Sequence, residues 1–281
     1  MKCAGFACVI VSSVLLLLLS SLALQAAQDS ALSNVDLCNG RDRSSPEPQI
    51  RGCTALIKSD ADNPKVLAIA YNNRGNAYTL QGQYDLAIQD YVKSINLDPN
   101  FAKPLNNRGV VYKKQGDYDR ALQDFNAALF IDPNYADAIA NRAEIYQAKR
   151  DYPGALKDLD QAIRISPGLA ALFNERCWVR AITGELQGAL SDCNEAIRLD
   201  PNVAVGFDSR GFTYIKLGQW DLAIADFNSA LRLDPKLAAA LYGRGMAKLK
   251  KGDGAAAKSD IAAAQAIKKD IAAEYTGYGV H

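Results

Sequence analysis

Histidine is almost missing from this chain: of 281 residues, the only one is His281. Without it the fold can hold no Ser/His/Asp or Cys/His arrangement, and no HExxH zinc motif exists. Net charge is nearly missing too, since 32 lysines and arginines stand against 31 aspartates and glutamates. No overall field draws the chain to nucleic acid or anionic lipid, and no stripe of basic and aromatic residues appears. Glycines fall at turns and helix contacts rather than in a phosphate-cradling loop after a strand, which leaves nucleotide binding without support. Paired acids such as Asp117 and Asp119 sit at helix starts, where a carboxylate complements the helix dipole. These absences describe a protein that is not an enzyme, with no cofactor, metal, nucleic acid or small-molecule substrate. Its partners are to be sought among proteins and peptides, by local surface rather than by global charge.

Long apolar runs are confined to the beginning. Lys2 is followed by an almost continuously apolar stretch from Val9 to Leu19, and Ser21, Ala23, Ala26 and Ala27 offer small residues for cleavage. The stretch is short for a membrane span and is interrupted by Ser12 and Ser13. Residues 1–27 therefore read as an export signal, with an uncleaved membrane anchor as the alternative. Cys3 and Cys8 lie too early for a lipid-attachment site. The expected location is periplasmic or secreted, and there disulfides are the default for Cys38, Cys53, Cys177 and Cys193. They fall as two sequence pairs, Cys38 with Cys53 and Cys177 with Cys193.

What the chain has in abundance is internal repetition. Pro99, Pro133, Pro167, Pro201 and Pro235 recur every 34 residues, each in a turn of the LDPN type. Between prolines each unit reads as two amphipathic helices around a polar or glycine-containing turn such as Gln81-Gly82-Gln83. Small residues repeat in columns, Ala87, Ala121, Ala155, Ala189, Ala223 and Ala257 forming one and Gly75, Gly109, Ala143, Cys177, Gly211 and Gly245 another. Such columns let paired helices approach closely.

With Tyr71, Gly75, Tyr78, Tyr84, Ala87, Tyr91 and Pro99 at these offsets, the chain resembles the tetratricopeptide-repeat family. The resemblance implies an all-α, right-handed α-solenoid of helix-turn-helix units at 67–100, 101–134, 135–168, 169–202, 203–236 and 237–270. Residues 28–66 read as an N-terminal cap with a degenerate half repeat, in which Pro46 opens a short helix. The sixth unit carries Lys248 where Tyr78 stands in the first and lacks a closing proline, which suits a terminal cap. In the tail, 271–281, Asp270 to Tyr275 is expected to extend the last helix until Gly277 and Gly279 stop it.

The resemblance also implies binding on the concave face formed by the first helices of each unit. There the C-terminal half is apolar, and Trp178, Phe212, Ile215, Tyr242, Met246 and Leu249 are the expected contact surface for a partner peptide or helix. The competing expectation is that Tyr275 and Tyr278 of the tail, or a second copy of the chain, cover this patch. Some family members grip a C-terminal carboxylate with lysines and asparagines; Asn72, Asn76, Lys103 and Asn107 are the counterparts here, with Asn72 standing where such a site carries lysine. The resemblance points to an interaction scaffold. A self-associating structural protein or an assembly factor of an envelope complex is the alternative.

One departure from the family recurs in every unit. Arg74, Arg108, Arg142, Arg176, Arg210 and Arg244 occupy a usually apolar position, and Asp90, Asp124, Asp158, Asp192, Asp226 and Asp260 follow 16 residues later. A paired change in both columns points to a structural ion-pair ladder, each guanidinium held by a bidentate bond either within its unit or to the Asp of the preceding one. The pair Cys177 and Cys193 falls where Gly75 faces Tyr91 in the first unit, so a disulfide is expected to pin those two helices together.

Overall fold

The computed structural model describes residues 34–40, 45–59 and 62–280. The export signal of residues 1–27 lies outside the described residues. The helices fall into two compact units, one ending at Asp132 and the other running from Pro133.

In the first unit a single helical turn at 34–38 precedes α1 (Pro46–Ser59), α2 (Pro64–Leu80), α3 (Tyr84–Leu97), α4 (Ala102–Lys114) and α5 (Tyr118–Ile131). The local sequence explains the ends. Asn63 caps α2 by accepting from the Val66 amide, and Pro64 fills the first position, where no amide partner is needed. Asp98 closes α3 in an extended conformation, as the residue before a proline must, and its carboxylate accepts from the Asn100 amide. The two helices of a repeat meet through the small-residue column: a methyl group on Gly75 would lie 2.7 Å from the Tyr91 ring, so glycine is what lets α2 and α3 touch.

The second unit continues the pattern with α6 (Ala136–Ala148), α7 (Tyr152–Ile165), α8 (Ala170–Thr183), α9 (Leu186–Leu199), α10 (Ala204–Lys216), α11 (Trp220–Leu233), α12 (Ala238–Lys250) and α13 (Gly254–Ile267). A short helix, α14 (Ile271–Gly277), follows. Its core runs from Cys177 and Cys193 through Phe212, Phe227 and Met246 to Ile271, Tyr275 and Val280.

One detail differs from the sequence-based expectation. The tail does not extend the last helix: Lys268 is extended (φ −138°, ψ 104°) and ends α13, so α14 is a separate element. The reason is positional, because Lys268 occupies the same place as Asp200 and Asp234, and the repeat's turn forms there without its proline. The turn inside each unit normally uses glycine in the left-handed region, as at Gly116 and Gly184, but in the third unit Arg150 takes that place with φ 59°.

Candidate functional site

The arginine and aspartate columns form one bidentate pair per repeat, always within the unit. Arg74 donates through Nε and Nη2 to both oxygens of Asp90 at 2.7 and 2.9 Å, and Arg108 does the same to Asp124 at 2.9 and 2.7 Å. Arg142 with Asp158, Arg176 with Asp192, Arg210 with Asp226 and Arg244 with Asp260 repeat this geometry in the second unit. The carboxylates are buried and the guanidinium groups largely so. Hydrogen bonding to the aspartate raises Arg74, Arg108, Arg142, Arg176 and Arg210 above the ordinary arginine value. Burial opposes ionisation of Asp260, yet its bonds to Arg244 and Lys248 hold that carboxyl below the usual range. The alternative pairing, from Asp to the next unit's Arg, does not occur among these pairs. The inter-repeat link is instead made by the remaining nitrogen, Nη1, which donates from Arg176 to Asp160, from Arg210 to Asn194 and from Arg244 to Asn228. Asp160, Asn194 and Asn228 themselves recur every 34 residues, a column that sequence reasoning overlooked.

The four cysteines stand at disulfide distance, Cys38 with Cys53 and Cys177 with Cys193, with Cα atoms 4.5 and 5.3 Å apart. The first pair joins the 34–38 turn to α1, and the second joins α8 to α9.

On the first helices of the first unit, three of the four polar candidates come together. Asn107 donates to the side-chain oxygens of both Asn72 and Asn76, at 3.0 and 2.9 Å, and Tyr91 donates its hydroxyl to Asn76. Burial lifts the Tyr91 phenol to about 12, so it stays a donor. Asn72 is buried, and the amides largely satisfy one another. Lys103 stands exposed one turn before Asn107.

The apolar candidates have a different surrounding from the one a free groove would give them. Phe212, Ile215, Tyr242 and Met246 are buried, 0, 5, 8 and 8% exposed, because the chain's own tail lies on them. Tyr275 stacks edge-on against Phe212 and Tyr242 at 5.6 and 4.8 Å and donates its hydroxyl to the Ala239 carbonyl at 2.8 Å. Tyr278 meets the edge of Trp178 at 5.2 Å, and its carbonyl accepts from Lys216 at 2.8 Å. Only Leu249, 49% exposed, remains open. Of the two expectations for this patch, the contacts match coverage by the tail: apolar rings on neighbouring helices are better covered than wetted, and α14 follows closely enough in sequence to cover them.

Beneath the tail lies a residue that sequence reasoning missed. Asp208 on α10 is buried, and its Oδ1 has no hydrogen-bond partner. Burial alone pushes this carboxyl up to about 7. The buried Oδ1 of Asn174 on α8 likewise lacks a donor, and both residues line a cavity of about 300 Å³ against α14. Their signal was in the sequence, since Asn72, Asn106, Asn174, Asp208 and Tyr242 share one register of the 34-residue period.

Residues 75–116 and 211–252 match the family model described as TPR repeat, and residues 102–135 match that of the tetratricopeptide repeat. No curated protein matches the sequence. Among solved structures, a tetratricopeptide repeat protein from Parabacteroides merdae is 20% identical over 86% of this chain and 97% of its own, with a TM-score of 0.65. YrrB, described as a TPR protein with an unusual peptide-binding site, is 23% identical over 66% of this chain and 97% of its own, with a TM-score of 0.51. A chain of the APC/C hetero-tetramer Cut9–Hcn1 matches at 17% identity over 84% of this chain, which spans about half (49%) of that longer protein, with a TM-score of 0.67. These likenesses concern the fold: all α, with consecutive helix pairs packed as in TPR solenoids. Residues 75–135 and 211–252 are thus tetratricopeptide repeats, in a fold that is that of a TPR solenoid.

Proposed function

We propose that this protein is an exported, non-enzymatic scaffold that holds a peptide or short helix of a partner protein against the first helices of its repeats. One observation carries the reading: the second unit already holds such an object there, because residues 271–280 lie across α8, α10 and α12 through Tyr275 and Tyr278. A surface that seats one short aromatic helix has the shape and chemistry to seat another. Trp178, Phe212, Ile215, Tyr242, Met246 and Leu249 form the apolar seat, and Asn72, Asn76, Lys103 and Asn107 offer polar contacts in the first unit. YrrB, with its peptide-binding site, supports the same reading by likeness of fold. Export is supported by the leader-like residues 1–27, by the two cysteine pairs, and by the lack, among the described residues, of a helix long and apolar enough to cross a membrane.

The test is a photo-crosslinking peptide library presented to the mature full-length chain, followed by mapping of the attachment points. Crosslinks are expected on α2, α4, α6, α8, α10 and α12. Attachment confined to the second helices of the repeats would overturn the groove. Light scattering on the same sample separates partner capture from self-association.

A further inference from the structure

The seat and its occupant agree in shape and disagree in charge. The tail supplies aromatic rings that Phe212, Tyr242 and Trp178 receive edge-on. To the cavity around Asp208, however, it brings a further acid, Glu274, beside Glu175 of α8. Glu274 is drawn aside to Lys268, and Glu175 accepts from Gln147 at 3.1 Å, so neither offers a proton donor to Asp208. Tyr275, whose phenol burial and the nearby Asp208 push upward, gives its hydroxyl to Ala239 instead. Of the basic groups near the tail, Lys268 is engaged by Glu274, and Lys216 and Arg150 lie at its far end, by Tyr278 and Gly277. Two acceptor oxygens, on Asp208 and Asn174, thus remain buried without a donor. A permanent cap has no reason to bury them so, whereas a binding pocket awaiting N–H groups does.

We infer that residues 271–280 are a replaceable internal occupant of the groove, displaced by a partner segment that pairs aromatic side chains with a lysine or arginine reaching Asp208 and Asn174. The inference rests on the groove reading above and adds both its regulation and the chemistry of its ligand. A cationic side chain would give Asp208 a charge-assisted bond and Asn174 a donor, neither of which the tail provides. Its positive charge would also meet Glu175 on the groove side, where the tail offers like charge through Glu274. The free chain is therefore held closed at this point by ring contacts and the Tyr275–Ala239 hydrogen bond, with no ion pair to Asp208, and opens to a ligand that adds charge complementarity to the same rings.

The probe is a fluorescent synthetic peptide of residues 271–280, made with the natural sequence and with Glu274→Lys. Fluorescence anisotropy is measured with the full-length chain, with its Tyr275→Ala/Tyr278→Ala variant, and with that variant carrying Asp208→Asn as well. Releasing the tail should tighten binding of both peptides at least tenfold. The Glu274→Lys peptide should bind the released chain about tenfold more tightly than the natural one, and Asp208→Asn should erase that preference. Equal affinities for the two peptides, or no gain on release, would overturn the inference while leaving the crosslinking test of the groove untouched. Should the released variant lose its helical circular dichroism, the wild-type chain decides: saturating Glu274→Lys peptide must strip hydrogen-exchange protection from the amides of Tyr278, Gly279 and Val280. Retained protection sinks the proposal.

Discussion

At the scale of single residues, four side chains sit where general rules would not place them, and they yield three measurable consequences. Arg150 occupies the left-handed turn position that glycine fills elsewhere, at φ 59°. A left-handed conformation costs an ordinary residue about 1 kcal/mol or somewhat more, so Arg150→Gly should stabilise the protein by about that amount in chemical denaturation. Arg142 and Asp158 test the ladder. Arg142→Leu alone leaves a buried carboxylate without its bidentate partner and should cost about 3 to 5 kcal/mol, while Arg142→Leu with Asp158→Tyr should recover most of it. Equal losses in the single and double variants would contradict the pairing. Asp208 tests burial of an unpartnered carboxyl, with Glu175, Glu274, Tyr275 and Tyr278 around it and no cation among the described residues that line its cavity. Its pKa is raised in the native state to about 7. From about pH 4, where the unfolded chain's carboxyl ionises, up to that value, the native state binds the extra proton; stability therefore falls as pH rises through this window and levels above it. Asp208→Asn should abolish this fall, gaining on the wild type from nothing at low pH to about 4 kcal/mol at pH 8. Melting temperatures of both proteins across that range would show it.

At the scale of helices, much of the architecture was legible because the 34-residue period fixes type and place together. Pro99 and its equivalents end the second helices, Ala87 and Gly75 mark where helices touch, and Arg74 with Asp90 names a contact from sequence spacing alone. What escaped was whatever the period does not encode. Residues 271–280 have no repeat equivalent, so nothing in the pattern said that α14 would break from α13 at Lys268, and the covering of Phe212 by Tyr275 was only one of the alternatives the sequence left open. Asp208 escaped for a different reason: it lies in register with Asn72 and Tyr242, and its oddity shows only once the tail removes it from water. The cysteine pairs belong to this scale because each ties two elements. Alkylation of the exported, denatured protein should find no thiol at Cys38, Cys53, Cys177 or Cys193. Replacing Cys177 and Cys193 together by serine should cost about 3 kcal/mol on the chain-entropy model for a loop of this length, read as a shift in denaturant midpoint.

At the scale of the whole molecule, the question is whether the tail is a detachable part or a piece of the core. Its rings lie on Phe212 and Tyr242, and the core of the second unit runs through Ile271, Tyr275 and Val280. Yet α14 is only 7 residues long and is joined to α13 by a turn without proline, so its hold depends on the apolar surface it buries rather than on its own helicity. Removing residues 271–281 should therefore uncover a contiguous apolar patch while the repeats keep their helix pairs. The shortened chain is expected to keep the helical circular dichroism of its repeats, to bind a hydrophobic dye several-fold more strongly, and to associate in light scattering where the full chain does not. Trp178 and Trp220 report the same event, since one touches Tyr278 and the other lies beside Gly279 and Val280. Their emission should shift to the red as water replaces the tail. A shortened chain with unchanged emission and dye binding would mean that the groove closes on itself, and that the aromatic contacts of Tyr275 and Tyr278 are not what shields it.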